Sequence, residues 1–385
     1  MKRPSSRTST LLVFLALLAI LTVPTTRSTT PTTEILGEES RAVDVVVCLD
    51  TSGSMEDLLD AARARLWDVI GELARMKPTP QLRVGLITFG TEAAGEQAGW
   101  IVEHSDLTDD LDAVYGNLMA LTTEGGEEYV GRALHAALEN MSWSLDWNAL
   151  RIIFVAGNES ADQGVEDFDF RVESAAARDR GVIINAVYAG NREQAIVEHW
   201  PEVANLGAGT FSAIDPRLAS IQIPTPHDDR LLELNGSLNT TYVPYGPKGM
   251  DGLANQLAQD TNASRLGVQS CSSRIVAKGS ALYTNASWDL VDASLEEGFS
   301  WVSVGVHDLP EALQSMSYDD LAGYVESKRS DREAIQEEIQ QVSLKREAYI
   351  KKVRARELAA SDLGEAMKQA IREQAMEKGF RCDGC

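Results

Sequence analysis

The sequence lacks the signatures of the common hydrolase and nucleotide-binding enzymes. None of its five histidines shows the HxxxH or HExxH spacing that places zinc ligands on one helix. No GxSxG and no GxxxxGK[ST] motif occurs, so neither a serine hydrolase nor a phosphate-binding loop is supported. These absences favour a protein that is not an enzyme.

Cysteine is scarce, with four in 385 residues. Cys48 lies in an apolar stretch and is expected to be a small buried hydrophobe. Cys382 and Cys385 have the CxxC spacing, but no second CxxC or His pair is present to complete a four-ligand zinc site. We expect these two residues to form a disulfide in the tail at 382–385, with thiol-exchange activity as the alternative.

Basic residues are outnumbered, with 35 Lys and Arg against 58 Asp and Glu, giving a formal net charge of -23. A strongly negative surface repels phosphate groups, so nucleic acid is not expected as a partner. The same charge attracts divalent cations. Because 44% of the residues are hydrophobic, the chain can nevertheless bury a sizeable core.

Long hydrophobic runs are also absent. The apolar stretch at 11–23 follows several basic residues and falls short of the ~20 residues that a membrane-spanning helix needs. It predicts a signal peptide over residues 1–23, or a short anchor that is not cleaved, before a Thr/Pro linker at 24–41. We therefore expect a periplasmic or secreted protein, with membrane contact only through an uncleaved N-terminal segment.

Apolar strands alternate with amphipathic helices through residues 42–222. The strands are predicted at 43–49, 82–89, 100–102, 152–156, 182–188 and 209–214. The helices are predicted at 55–76, 111–121, 129–141, 170–180 and 193–206. This alternation predicts a doubly wound α/β domain with a mostly parallel sheet and helices on both faces. Trp143 and Trp147 are expected to pack in the core or between domains.

Two segments follow this domain. Residues 223–316 are rich in Asn, Gly, Ser and Pro, and are predicted to be either an irregular connection or a small domain. Residues 317–381 predict a helical hairpin, because a capping box at Ser330 and Glu333 precedes one apolar stripe and a break at 361–362 precedes a second. We expect the stripes to pack on the protein's own body, with an intermolecular coiled coil as the alternative.

One loop carries the sharpest chemical signal. Asp50, Ser52 and Ser54 form a DxSxS pattern directly after a buried strand and before a long helix. Ligands of open α/β sheets collect at the carboxyl ends of strands, and carboxylate and hydroxyl oxygens are the ligands that Mg²⁺ and Ca²⁺ prefer. Gly53 allows the turn to close, and Ser54 is also suited to cap the helix.

Residues 45–55 (VVVCLDTSGSM) resemble the opening of a von Willebrand factor type A domain and the first motif of its metal-ion-dependent adhesion site. The resemblance implies a binding module whose metal accepts a carboxylate from a protein partner. Residues 125–134 resemble the second motif, in which a Thr is common; that position falls on Glu128 or, counted from the two glycines, on Glu127. In the third motif, Gly157 stands where an Asp is common.

These departures change the expected chemistry. A second carboxylate, from Glu128, would lower the pull of the cation on an acidic partner. Gly157 removes a supporting acid, although Asn158 or Glu159 can reach the same space. We therefore expect a protein-binding module whose cation is as much structural as adhesive, with a metal-free structural scaffold of the cell envelope as the alternative. The predicted ligands of the Mg²⁺ or Ca²⁺ ion are Asp50, Ser52, Ser54 and Glu128.

Overall fold

The computed structural model describes residues 41–164, 166, 168–215, 217, 223–357 and 363–382. The predicted signal peptide or anchor at 1–23 and the linker up to residue 40 lie outside these ranges, as does Cys385. No helix within them is long and apolar enough to cross a membrane.

A six-stranded sheet forms the centre of the first part of the chain, with the strand order β4-β3-β1-β5-β6-β7. Neighbouring strands are parallel except for the antiparallel pair β3 and β4. The strands are β1 (Ala42–Asp50), β2 (Met76–Lys77), β3 (Gln81–Phe89), β4 (Val102–Thr108), β5 (Leu150–Gly157), β6 (Val182–Ala189), β7 (Ala208–Ile214) and β8 (Arg381–Cys382). The last of these pairs with β2, outside the main sheet.

Helices cover both faces of the sheet, and the predicted doubly wound α/β fold is confirmed. The helices are α1 (Glu56–Leu73), α2 (Leu111–Ala120), α3 (Val130–Asn140), α4 (Phe170–Asp179), α5 (Arg192–Val197), α6 (Trp200–Leu206), α7 (Asp228–Asn239), α8 (Gly249–Leu266), α9 (Val268–Lys278), α10 (Leu290–Ala293), α11 (Tyr318–Glu357) and α12 (Leu363–Glu377). On β1, Val45 and Leu49 face α1, α2 and α12, whereas Val46 and the buried Cys48 face α3, α4 and α6. Both faces are apolar because both are covered.

Two elements differ from their predicted form. The strand predicted at 100–102 lies at Val102–Thr108, where alternating polar residues match an edge strand with one exposed face. The helix predicted at 193–206 is divided into α5 and α6. The division lies at His199, whose φ of 67° is left-handed, and Pro201 lies in the first turn of the second helix.

Residues 223–316, predicted to be either an irregular connection or a small domain, contain four α-helices. The helices α7, α8, α9 and α10 occupy much of this segment. Several of their buried side chains are polar, among them Gln256, Arg274 and Lys278, so no clean apolar stripe marks the helices in the sequence. Ala263 and Ala277 also join the core between α1 and the sheet, so the segment packs against the first domain.

Both predicted C-terminal helices are present, and they pack on different parts of the protein. Ile339 and Val342 of α11 lie in a core with α7 and α9. Met367 and Ile371 of α12 lie in the sheet core beside α1. The side-chain amides of Gln374 in α12 and Asn185 in β6 also exchange two hydrogen bonds, of 2.7 and 3.1 Å. The α12 helix is therefore part of the sheet domain.

Cys382 forms a disulfide, whereas Cys48 and Cys271 are free. Cys382 belongs to β8, and in the antiparallel pair of β2 and β8 it lies opposite Met76. The disulfide therefore lies beside the strand pair that holds the end of the described chain against the domain.

The two tryptophans that were predicted to be in the core behave differently. Trp143 packs against the α3 face, and its indole N–H donates to Ala137 O at 2.8 Å. Trp147 is 79% exposed, so its predicted place in the core is wrong.

We expect Trp143→Ala to lower the free energy of unfolding by about 1–2 kcal/mol and Trp147→Ala to change it by less than about 0.5 kcal/mol. Urea denaturation of both variants measures the difference, and equal losses would contradict these placements.

Candidate functional site

The β1 strand ends at Asp50, whose side chain is fully buried. One of its oxygens, Oδ1, accepts a hydrogen bond from the backbone N–H of Ser52 at 2.8 Å, which fixes the carboxylate over the turn. The other, Oδ2, has no hydrogen-bond partner, and neither does the buried Oγ of Ser52. Two oxygens of the predicted ligand set are thus buried and unsatisfied, an arrangement that costs free energy unless a ligand binds them.

Glu128 lies just before α3, and its side chain is also buried, with Oε2 unpartnered. It approaches Asp50 across Gly90, the residue after β3. A Cβ on Gly90 would lie 3.0 Å from Oδ1 of Asp50 and 3.1 Å from Cγ of Glu128. Gly90 has a φ of 73°, so glycine fits both the conformation and the space. Glu127 is exposed, so Glu128 is the acid that faces the Asp50 turn.

Both carboxyl groups have raised pKa values, chiefly because they are buried. Burial raises the pKa of Asp50 from 3.8 to about 6, and the negative charge of Glu159 adds to this, against the lowering effects of the Ser52 N–H, which donates to Asp50, and of Glu128. Burial, followed by the charge of Asp50, raises the pKa of Glu128 from 4.5 to about 8. Within the part of the chain that the structure describes, no basic side chain pairs with Asp50 or Glu128. An added cation would therefore offset the cost of burying both acids and the repulsion that Asp50 exerts on Glu128.

Ser54 and Asn158 complete the rim of the site. The exposed Ser54 hydroxyl accepts a hydrogen bond from Nδ2 of Asn158 at 3.0 Å, while Oδ1 of Asn158 is buried without a partner. At Gly157, a Cβ would lie 3.1 Å from Oδ2 of Asp50 and 3.2 Å from the ring of Trp200. The tryptophan therefore occupies the space that an acidic side chain at 157 would need, and Asn158 supplies the nearest polar group instead.

The donor set suits a hard cation. Asp50, Ser52 and Glu128 each have a buried oxygen with no hydrogen-bond partner among the described residues, and their side chains interact with one another. Ser54 lies beside them, bonded to Asn158. In the described part of the chain, no group of three or more His, Cys, Asp or Glu residues is arranged to hold a metal. The oxygen set around Asp50 is therefore a candidate on the chemistry of its donor atoms alone.

The raised pKa of Glu128 predicts a pH dependence of stability without metal. Between about pH 4.5 and 8 the folded protein keeps a proton on Glu128 that the unfolded chain releases. Each rise in pH through that range therefore favours unfolding. In chelator, we expect the melting temperature of the wild type to fall between pH 5 and 8, and Glu128→Gln to flatten this slope. Glu127→Gln should behave like the wild type, and equal slopes in all three proteins would contradict the prediction.

One known protein family matches the first part of the chain. Residues 44–199 match the family described as the von Willebrand factor type A domain. This part of the chain is therefore similar to a type A domain. The match begins in β1 and ends at His199, so it includes the Asp50 turn, Glu128 and Gly157.

Several solved structures resemble this domain. Proximal thread matrix protein 1 from the mussel byssus, with a zinc-occupied MIDAS motif, has 14% identity and a TM-score of 0.36, over 45% of this chain and 42% of the mussel protein. BatB from Bacteroides thetaiotaomicron has 19% identity and a TM-score of 0.35, over 45% of this chain and 91% of that one. The pilus adhesin SpaC from Lactobacillus rhamnosus GG, in its open conformation, has 15% identity and a TM-score of 0.36, over 55% of this chain and 32% of the adhesin. No curated protein matches the chain.

Proposed function

We propose that the protein is a non-enzymatic, exported protein-binding module whose type A domain holds Mg²⁺ or Ca²⁺ through Asp50, Ser52, Ser54 and Glu128. One observation carries the proposal: the unpartnered, buried oxygens of Asp50, Ser52 and Glu128 around one position. A buried acid pair with no basic partner is costly, and a divalent cation is the simplest group that satisfies both acids.

Each residue has a distinct part in this proposal. Asp50 supplies charge from a carboxylate that the Ser52 N–H already orients. Ser52 supplies a neutral oxygen, and Ser54 a second one that Asn158 positions. Glu128 adds the second charge. When bound, the cation offers a coordination position to an oxygen of the partner, and the protein supplies the burial that excludes competing water.

The second carboxylate sets the strength of partner binding. With one protein carboxylate a divalent ion keeps a net positive charge, whereas Asp50 and Glu128 together neutralise it. An acidic side chain of the partner then gains less from reaching the ion. This supports a cation that stabilises the domain and adds a moderate contribution to partner binding, rather than one that provides most of the affinity.

Calorimetric titration of the protein with Mg²⁺ and with Ca²⁺ tests the metal site. We expect saturable binding of one ion below millimolar concentration, accompanied by proton release because Glu128 must ionise. An absence of heat at millimolar metal would reject the site. The domain would then be better described as a metal-free scaffold.

The role in partner binding needs a separate measurement. Partners captured from the native cell envelope should be released by EDTA and recovered on adding back Mg²⁺ or Ca²⁺. Capture and melting temperature that are both indifferent to chelation would favour the scaffold function. Cell fractionation of the intact chain tests export, since residues 1–23 predict delivery to the periplasm or the medium.

A further inference from the structure

The segments that follow the carboxyl ends of β1, β3 and β5 contain acids and no bases, and so does the segment before α3. They are 50–57, 90–101, 121–129 and 157–169. Their acids are Asp50, Glu56, Asp57, Glu92, Glu96, Glu124, Glu127, Glu128, Glu159, Asp162, Glu166, Asp167 and Asp169, with no Lys or Arg among them. Because parallel strands end at one edge of the sheet, the described residues of these segments lie at the edge that holds the proposed cation site.

Arginines from neighbouring elements offset only part of this charge. Arg63 pairs with Glu56, and Arg171 pairs with Asp162 and Asp169. Within the described residues, Glu92, Glu127 and Glu159 are exposed and form no ion pair with a basic side chain. The charge of Glu159 reaches the site itself, because it raises the pKa of both Asp50 and Glu128.

The opposite edge of the sheet is not acidic in this way. Taken together, the segments that lead into β3, β5 and β6 (74–80, 141–149 and 180–181) contain Arg75, Lys77 and Arg180 against Asp146. The acids are therefore concentrated around the proposed cation site, where the side chains of Arg63, Arg132 and Arg171 also lie. A surface of one sign steers and selects partners of the other sign.

We propose that the partner segment that binds at this edge is basic, with Lys or Arg side chains flanking the oxygen that it places on the cation. The inference rests on the proposed function for the cation, and adds the chemistry of the partner. Asp50 and Glu128 already neutralise a bound divalent ion, so a segment with net negative charge would meet the acidic surface without a compensating attraction. Flanking lysines or arginines would instead pair with Glu92, Glu127 and Glu159, which have no ion-pair partner in the described structure.

Two synthetic peptides test this inference on the full chain. One has a central Asp flanked by lysines, and the other has the lysines replaced by glutamates. Fluorescence anisotropy in Mg²⁺ should show binding of the lysine peptide at least about tenfold tighter than the glutamate peptide, and weaker as salt rises. Equal or tighter binding of the glutamate peptide would overturn the inference.

A matched pair of charge reversals separates the acidic edge from net charge. Glu92→Lys with Glu127→Lys alters the edge, whereas Glu297→Lys with Glu311→Lys makes the same charge change at exposed acids of the later helical segment. The first variant should lose about tenfold in affinity for the lysine peptide, and the second less than about twofold. Equal losses would show that total charge alone attracts the peptide, and would reject a specific surface.

The same titrations distinguish this inference from the proposed function. If calorimetry detects no metal but the lysine peptide still depends on Glu92 and Glu127, the cation proposal fails and the basic partner stands. If Mg²⁺ binds but the peptide preference is reversed, the cation site stands and the basic partner is rejected.

Discussion

Asp50→Ala should abolish stabilisation of the protein by Mg²⁺ and Ca²⁺. In the wild type, a ligand present at 100 times its dissociation constant adds about 2.7 kcal/mol to the free energy of unfolding, which shifts the melting temperature by several degrees. Asp50 is the fully buried carboxylate of the turn and is already oriented by Ser52. Its removal leaves Glu128 and two hydroxyls, a set too weakly charged to hold a dehydrated divalent ion.

Asp57→Ala is the matched control, since it removes the same charge from an exposed position in the first turn of α1. Thermal shifts with and without about 10 mM metal, roughly ten times the weakest dissociation constants of extracellular calcium modules, compare the three proteins. Without metal, Asp50→Ala should keep or raise the melting temperature, because it removes one member of a repelling acid pair. If metal stabilised Asp50→Ala as much as the wild type, Asp50 would not be a ligand and the cation would bind elsewhere.

Arg274→Ala should lower the free energy of unfolding by about 3–5 kcal/mol, the cost of leaving a buried charge unpaired. Arg274 of α9 is 1% exposed and donates to Asp112 of α2 at 2.6 Å and to Asp260 of α8 at 2.6 Å. Its guanidinium also lies 4.7 Å from the centroid of the Trp67 ring in α1. The substitution therefore breaks the main polar link between the later helices and the sheet domain.

Chemical denaturation at neutral pH measures this loss, with the denaturant slope as a check on two-state unfolding. Arg230→Ala is the control: Arg230 pairs with Glu233 and Glu338 on the surface and should show no measurable change. Combining Arg274→Met with Asp112→Leu should recover much of the stability, because it removes both charges instead of one. A small loss in Arg274→Ala would mean that water reaches Asp112.

Much of the sheet domain could be predicted because its signals are local. Strands buried on both faces are apolar throughout, and α1 and α3 have clear periodicity, so β1, β3, β5 and β6 were found within about two residues of their ends. The later helices could not be found in this way. Arg274, Lys278 and Gln256 are buried through partners far away in the sequence, and no pattern within one helix shows such contacts.

The sequence predicted the acidic residues of the candidate site, but not the residues that pack around them. The DxSxS turn identified Asp50, and spacing placed Glu128 near it, although the choice against Glu127 needed the backbone. The roles of Gly90 and Trp200 depend on how β3 and α6 approach the Asp50 turn. No sequence motif marks either residue. The positive φ of Gly90 has only a weak sequence signal, since many glycines are present for other reasons.

The α12 helix has a practical consequence for dissecting this protein. All four proposed cation ligands precede residue 130, yet the helix that covers the sheet beside α1 begins at Leu363. A fragment cut at the usual boundary after β7 would retain every ligand and expose the apolar surface where Met367 and Ile371 pack. Such a fragment should aggregate or bind hydrophobic dyes, and adding α12 back as a separate peptide should suppress this behaviour.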